Sequence, residues 1–147
     1  MDDTLIRMLQ LGQKGYSCSQ IIILLGLEQR GEVNPGLVRA MEGLAYGCGS
    51  GRGSCGALTG GCCLLALYAG KGDDEEAASE CLPLMLQELT DWFAARSGCE
   101  NGEISCDAIV GEEGPAAARQ RCGSIVADTY AKVMEILTTN EIDPDGE

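Results

Sequence analysis

Nine cysteines and no histidine among 147 residues define the chemistry open to this chain. Without imidazole there can be no His-containing zinc site, no haem attachment through Cys-x-x-Cys-His and no His-dependent catalytic dyad or triad. A reducing compartment makes a disulfide framework a poor account of so many thiols, so thiolate chemistry is the better reading. Soft thiolates unaccompanied by imidazole suit iron–sulfur clusters, zinc or cuprous ions better than harder metals. The chain contains no Cys-x-x-Cys pair, so neither a zinc knuckle nor a thioredoxin-type dithiol can be drawn from local spacing. Any site has to be assembled by the fold.

The cysteines are not equivalent. Cys48, Cys55 and Cys62 are each seven residues apart, but the glycine run between the first two breaks helical phase, so only Cys55 and Cys62 are expected to align. Cys55 is the strongest single candidate. A Gly-rich loop delivering it to a helix N-terminus predicts a lowered thiol pKa and unpaired N–H groups facing an anionic sulfur centre. Gly56 and Gly60 on the same helix remove side-chain bulk and permit close approach by a neighbouring helix or a cofactor. Cys63 and Cys81 lie in apolar helical patterns and are expected to act as small buried hydrophobes. Cys48, Cys62 and Cys99 are reserves, and position alone leaves Cys18, Cys55, Cys106 and Cys122 evenly balanced between structural and chemical roles.

The elements that must position these sulfurs are helical. Asp2 and Asp3 suit a helix N-terminus ahead of Leu5, Met8 and Leu9, with a stop near Gly15. Ser17 and Gln20 form a capping-box pattern that starts a second helix around Cys18. Asn34-Pro35 caps and opens a third, with Leu37, Val38, Met41 and Leu44 as its apolar stripe. Residues 47–61 hold seven glycines, and the stretch Gly47 to Gly53 reads as a loop that brings backbone close to something. An almost wholly apolar helix follows from Ser54 to Gly70. Asp73 to Ser79 is expected to begin the next helix, with a kink or restart at Pro83 and an end near Gly98. The span from Cys99 to Gly114 reads as loop with a single turn around Cys106. Pro115 opens the last helix, whose stripe of Cys122, Ile125, Val126, Thr129, Val133, Ile136 and Leu137 points Cys122 at the core. With no alternating strand pattern of useful length, the expected fold is all-α: a compact bundle of about five or six helices in a single domain over residues 1–140, with an acidic tail at 141–147.

Composition narrows the partners. A hydrophobic fraction of 45% spread along the chain is that of a globular protein, and no apolar block is long enough to span a bilayer. The opening Met1-Asp2-Asp3 lacks the basic start and apolar run of a secretory signal, which predicts a cytoplasmic protein away from the membrane. A formal net charge of −13 repels a phosphate backbone, so nucleic acid is not an expected partner. The acidic runs at Asp73–Glu76, Glu112-Glu113 and Glu141–Glu147 read as solvated helix starts and a frayed terminus.

Four elements carry a resemblance. GYSCSQ at Gly15–Gln20, CGALTG at Cys55–Gly60, ISC at Ile104–Cys106 and RCGSIV at Arg121–Val126 resemble, in order and spacing, the motif set of the C_GCAxxG_C_C family of redox-active proteins. The resemblance implies that Cys18, Cys55, Cys106 and Cys122 form the site and ligate a metal centre. Split-Soret cytochromes are similar over the same motifs and carry an iron–sulfur centre on such cysteines beside their haems. This implies an iron–sulfur cluster here, 2Fe–2S or 4Fe–4S, without haem. The chain adds Cys48 and the Cys62-Cys63 pair to the family pattern, and Cys48, Cys62 and Gly56 are carried as further cofactor-binding candidates. The function expected is electron transfer or redox sensing with a redox partner protein that docks through a basic surface, and the site is open to sharing across a homodimer. The alternatives are a metal-free dithiol/disulfide protein and a thiolate metal-trafficking module. Any catalysis would rest on the metal centre itself.

Overall fold

The computed structural model describes residues 3–145, with residues 115–117 described by backbone alone. Helices α1 (Asp3–Gln13), α2 (Cys18–Arg30) and α3 (Pro35–Met41) lead through a 3₁₀ turn (Glu42–Leu44) to a single turn, α4 (Ala45–Cys48). After the glycine loop come α5 (Gly56–Ala69), α6 (Leu82–Arg96), a short α7 (Cys106–Val110) and the long α8 (Pro115–Thr139). The described residues form no strand beyond one isolated antiparallel bridge, Ser54 to Ser105. The all-α bundle read from the sequence is what forms. Among the described residues no helix is long and apolar enough to cross a membrane.

The start signals act through hydrogen bonds. The Ser17 N–H donates to Gln20 Oε1 at 3.1 Å, half of the capping box. Asn34 Oδ1 accepts from the Leu37 N–H at 3.1 Å, with Pro35 opening the helix behind it. Between these two starts, buried polar groups of the GYSCSQ segment fasten α2 to α3. The Ser19 hydroxyl donates to the Met41 carbonyl at 2.8 Å, and Gln20 Nε2 donates to the Val38 carbonyl at 3.2 Å. Each bond satisfies a carbonyl near the end of α3 that the helix itself leaves unpaired.

Helix α5 runs through the centre, packed by α2 on one side and by α6 and α8 on the other. Its Ala57, Leu64 and Leu65 are fully buried, together with Ile22 and Ile23 of α2, Leu89 and Phe93 of α6, and Val133, Ile136 and Leu137 of α8. Burial of each such leucine or isoleucine contributes about 1.5–3 kcal/mol relative to exposure. The α2–α5 crossing is close because α5 presents glycine: a Cβ on Gly60 would lie 3.1 Å from Ser19 Cα, and one on Gly56 would lie 2.5 Å from Cys18 Sγ. The close approach expected at Gly56 and Gly60 is thus realised by α2, and it sets Cys18 against the first residue of α5.

Two expectations fail. Asp73 to Ser79 is not helical: Asp73 Oδ1 accepts from the Glu75 and Glu76 N–H groups at 2.9 and 3.1 Å, closing a turn, and the helix restarts at Leu82 with Pro83 in its first turn. The run has no apolar stripe to bury, so its acidic start signal leads nowhere. Cys81 consequently precedes α6 and is exposed instead of sitting in an apolar helical setting. The tail also departs from a frayed terminus. Ile142 packs against the core, the Tyr68 hydroxyl donates to the Pro144 carbonyl, and Gln29 Nε2 donates to Asp145. Asp2 and the end of the acidic tail, Gly146 and Glu147, lie outside the described residues.

Candidate metal centre

Three of the four candidate sulfurs stand at helix starts. Cys18 is the first residue of α2, Cys55 is the N-cap of α5, and Cys106 is the first residue of α7. The fourth, Cys122, lies on α8. Each helix start leaves N–H groups without intrahelical partners and carries the positive end of the helix dipole. Three such ends meeting at one place favour negative charge there, which is what a thiolate or a sulfide-containing centre brings.

Each of the four sulfurs lies within electrostatic reach of at least two of the others. Cys18 feels Cys122, Cys55 feels Cys18 and Cys106, and Cys106 feels both Cys18 and Cys122. Cys62 is outside this set: its thiol interacts with Cys63 and with Thr90 of α6. The alignment of Cys55 with Cys62 expected from their spacing does not bring Cys62 to the other three sulfurs. Among the described residues no three Cys, Asp or Glu side chains close on a point as tightly as the shell of a single metal ion requires.

Burial governs the thiols. It pushes Cys55 up to about 12, against the N–H groups of Ala57 and Leu58, which favour the anion without closing a regular capping bond, and with Cys18 and Cys106 raising it further. Cys18, Cys106 and Cys122 are likewise raised, chiefly by burial. The lowered pKa expected of Cys55 from its place at a helix start is therefore reversed. Desolvation of a nearly enclosed sulfur outweighs the dipole of the helix it caps.

The glycine loop is built as a bracket for Cys106. It opens on a left-handed turn in which Tyr46 (φ 56°, ψ 41°), Gly47 (φ 62°, ψ 49°) and Cys48 (φ 59°) take positive φ in succession, closed by the Gly49 N–H donating to the Ala45 carbonyl at 2.9 Å. For Tyr46 and Cys48 that conformation costs about 1–2 kcal/mol each. The turn aims the Tyr46 N–H at the Cys18 sulfur. Further along, the Cys106 N–H donates to the Gly53 carbonyl at 3.0 Å, the Asp107 N–H to Gly51 at 2.8 Å, and the Cys55 N–H to Ile104 at 2.7 Å. Loop and α7 start are laced together, so Cys55 and Cys106 enter side by side. Gly47 has to be glycine, since a Cβ there would lie 2.9 Å from the Cys106 Cβ and 2.7 Å from the Gly53 carbonyl oxygen.

The remaining cysteines are dispersed. Cys48 is exposed on the left-handed turn, with its sulfur 3.3 Å from where a Cβ on Gly53 would stand. Cys63 is partly buried against the core, as its structural reading requires, and Cys99 is partly buried with its thiol 3.8 Å from the Ser97 carbonyl. Two contributors had no role assigned from the sequence. Tyr46 supplies backbone to Cys18 from a conformation that only its glycine neighbours hint at. Arg121, beside Cys122, offsets part of the rise that burial imposes on that thiol and donates to carbonyls of α7.

The donors are of the soft type: four cysteine sulfurs, partly shielded from water, three of them at helix starts and faced by glycine backbone. A family model with the description "Putative redox-active protein (C_GCAxxG_C_C)" matches residues 16–136, a span that includes all four of these cysteines. The chain belongs to that family. No curated protein and no solved structure matches it.

Proposed function

We propose that the protein holds an iron–sulfur cluster on Cys18, Cys55, Cys106 and Cys122 and serves in electron transfer or redox sensing. The observation that carries this reading is the meeting of three helix N-termini, each bearing a cysteine, with a fourth sulfur from α8 inside the same electrostatic neighbourhood. When bound, such a cluster accepts and releases single electrons. The chain's own part is to supply four thiolates, to orient N–H groups toward the sulfurs from Tyr46, Ala57 and Leu58, and to limit water, all of which tune a cluster's potential. The net charge of −13 would steer a redox partner with a basic docking surface.

A metal-free dithiol mechanism needs one low-pKa thiol to attack, and all four candidates here are raised. The test is purification without oxygen, followed by iron and acid-labile sulfide analysis and the visible spectrum. Brown protein with iron and sulfide in equal amounts is the expected result. Colourless, iron-free protein that stays so after reconstitution with ferrous iron and sulfide would overturn the reading.

A further inference from the structure

We propose that Arg121 is the positioning residue that holds Cys106 beside Cys122, by clamping the free end of α7 onto α8. The inference rests on the four-cysteine reading above for its purpose, and on independent geometry for its mechanism.

Helix α7 has five residues, far fewer than a helix needs to persist unaided. It must be held at both ends. Its start is fixed by the Ser105 hydroxyl, which accepts from the Ala108 N–H at 3.1 Å, and by the two backbone bonds from Cys106 and Asp107 to the glycine loop. Its middle is anchored by Ile109, which is 3% exposed. Its far end stops at Gly111, in a conformation (φ 75°, ψ −173°) that cannot continue the helix. The carbonyls of Ile109 and Val110 are among those that a helix C-terminus leaves unpaired.

Arg121 takes both. Its Nε donates to the Ile109 carbonyl at 3.1 Å and its Nη2 to the Val110 carbonyl at 2.9 Å. The planar guanidinium presents its donors as a fixed fork, a geometry that a lysine ammonium cannot reproduce. Among the described residues Arg121 takes part in no carboxylate ion pair, so this fork is its main engagement. Because Arg121 directly precedes Cys122, one side chain links the helix that carries Cys106 to the backbone that carries Cys122. Loss of the fork frees the end of α7 while leaving its start tied to the loop. The start of α7 then answers to the glycine loop alone, and when loop and helix open together the Cys106 sulfur moves away from Cys122.

The test compares the wild-type full chain with Arg121→Gln and Arg121→Lys, all in the metal-free folded state, by alkylation of each cysteine read by peptide mass spectrometry. In Arg121→Gln, Cys106 should be alkylated at least about tenfold faster, because two charge-assisted bonds no longer oppose opening. Cys18 and Cys55 should keep their wild-type rates, and amide hydrogen exchange should accelerate over residues 106–110 alone. Arg121→Lys, able to reach one carbonyl, should recover part of the protection. An unchanged Cys106 rate in Arg121→Gln overturns the clamp, and so does equal acceleration at all four cysteines, which would mark general loosening. If Arg121→Gln does not fold, Arg121→Lys decides, with selective exposure of Cys106 supporting the clamp and wild-type rates at every cysteine overturning it. Failure of the wild-type protein to take up iron and sulfide would remove the cluster reading and leave these alkylation results to judge the clamp by themselves.

Discussion

The start and the middle of α5 both carry cysteine, and the two sulfurs meet different surroundings. At its start, Cys55 caps the helix among Cys18 and Cys106, with bare glycine at position 56 turned toward the Cys18 sulfur. Two turns later, Cys62 is partly buried against the core, with Cys63 and the Thr90 hydroxyl of α6 acting on its thiol. The sulfurs are of one kind, so the difference comes from what the fold aims at them. A cysteine at a helix start can share its surroundings with other helix starts, whereas one in a helix interior can meet only the side chains of a packed flank.

Serine substitutions should break the comparison most sharply. Cys55→Ser should lower iron bound after reconstitution by at least about tenfold, since a neutral hydroxyl replaces a soft thiolate ligand. Cys62→Ser should leave it within experimental error. Equal loss in both variants, measured as iron and sulfide per chain, would show that the two positions are not distinct. Proton release sharpens the same contrast. Because burial raises all four site thiols, they start protonated at neutral pH, and binding must displace their protons. Raised thiol pKa values therefore make apparent affinity climb as pH rises from 7 to 9, by up to about tenfold per pH unit for each proton displaced, and calorimetry in buffers of different ionisation heat gives the number. Cys62→Ser should not change that number. The smallest effect is steric. In Gly56→Ala the new Cβ would lie 2.5 Å from Cys18 Sγ and 3.3 Å from the Leu44 carbonyl oxygen. Overpacking of this sort costs about 1–3 kcal/mol, seen as a lower denaturant midpoint. Gly12→Ala, where a Cβ meets nothing within 4 Å, is its control and should not fall with it.

Much of this architecture could be read from the chain because it depends on local signals. Ser17 with Gln20, Asn34-Pro35 and Pro115 each mark a helix start that forms, and the stripe from Ile125 to Leu137 is buried as its spacing requires. Asp73 to Ser79 misleads because acidic residues suit a helix start only when an apolar face follows to be buried, and here none does until Leu82. The error at Cys81 follows from that one. The thiol pKa of Cys55 departs from the sequence expectation for another reason. A helix dipole is a local property, visible in sequence, while the depth at which the sulfur lies depends on α2 closing over Gly56, which is tertiary. Spacing alone could not choose among nine sulfurs either; the choice came from the motif resemblance, and the helix starts at Cys18, Cys55 and Cys106 give it a physical basis. The left-handed turn at Tyr46 to Cys48 had no sequence signature beyond its flanking glycines.

The four sulfurs come from positions 18, 55, 106 and 122, so a chain leaving the ribosome lacks a full set until its last helix has emerged. A guest held on all four, as proposed, would be captured after synthesis and would bind only the finished fold. Its affinity adds to the stability of that fold by mass action, and starvation for the guest would leave a population more easily unfolded and more readily degraded than the loaded one.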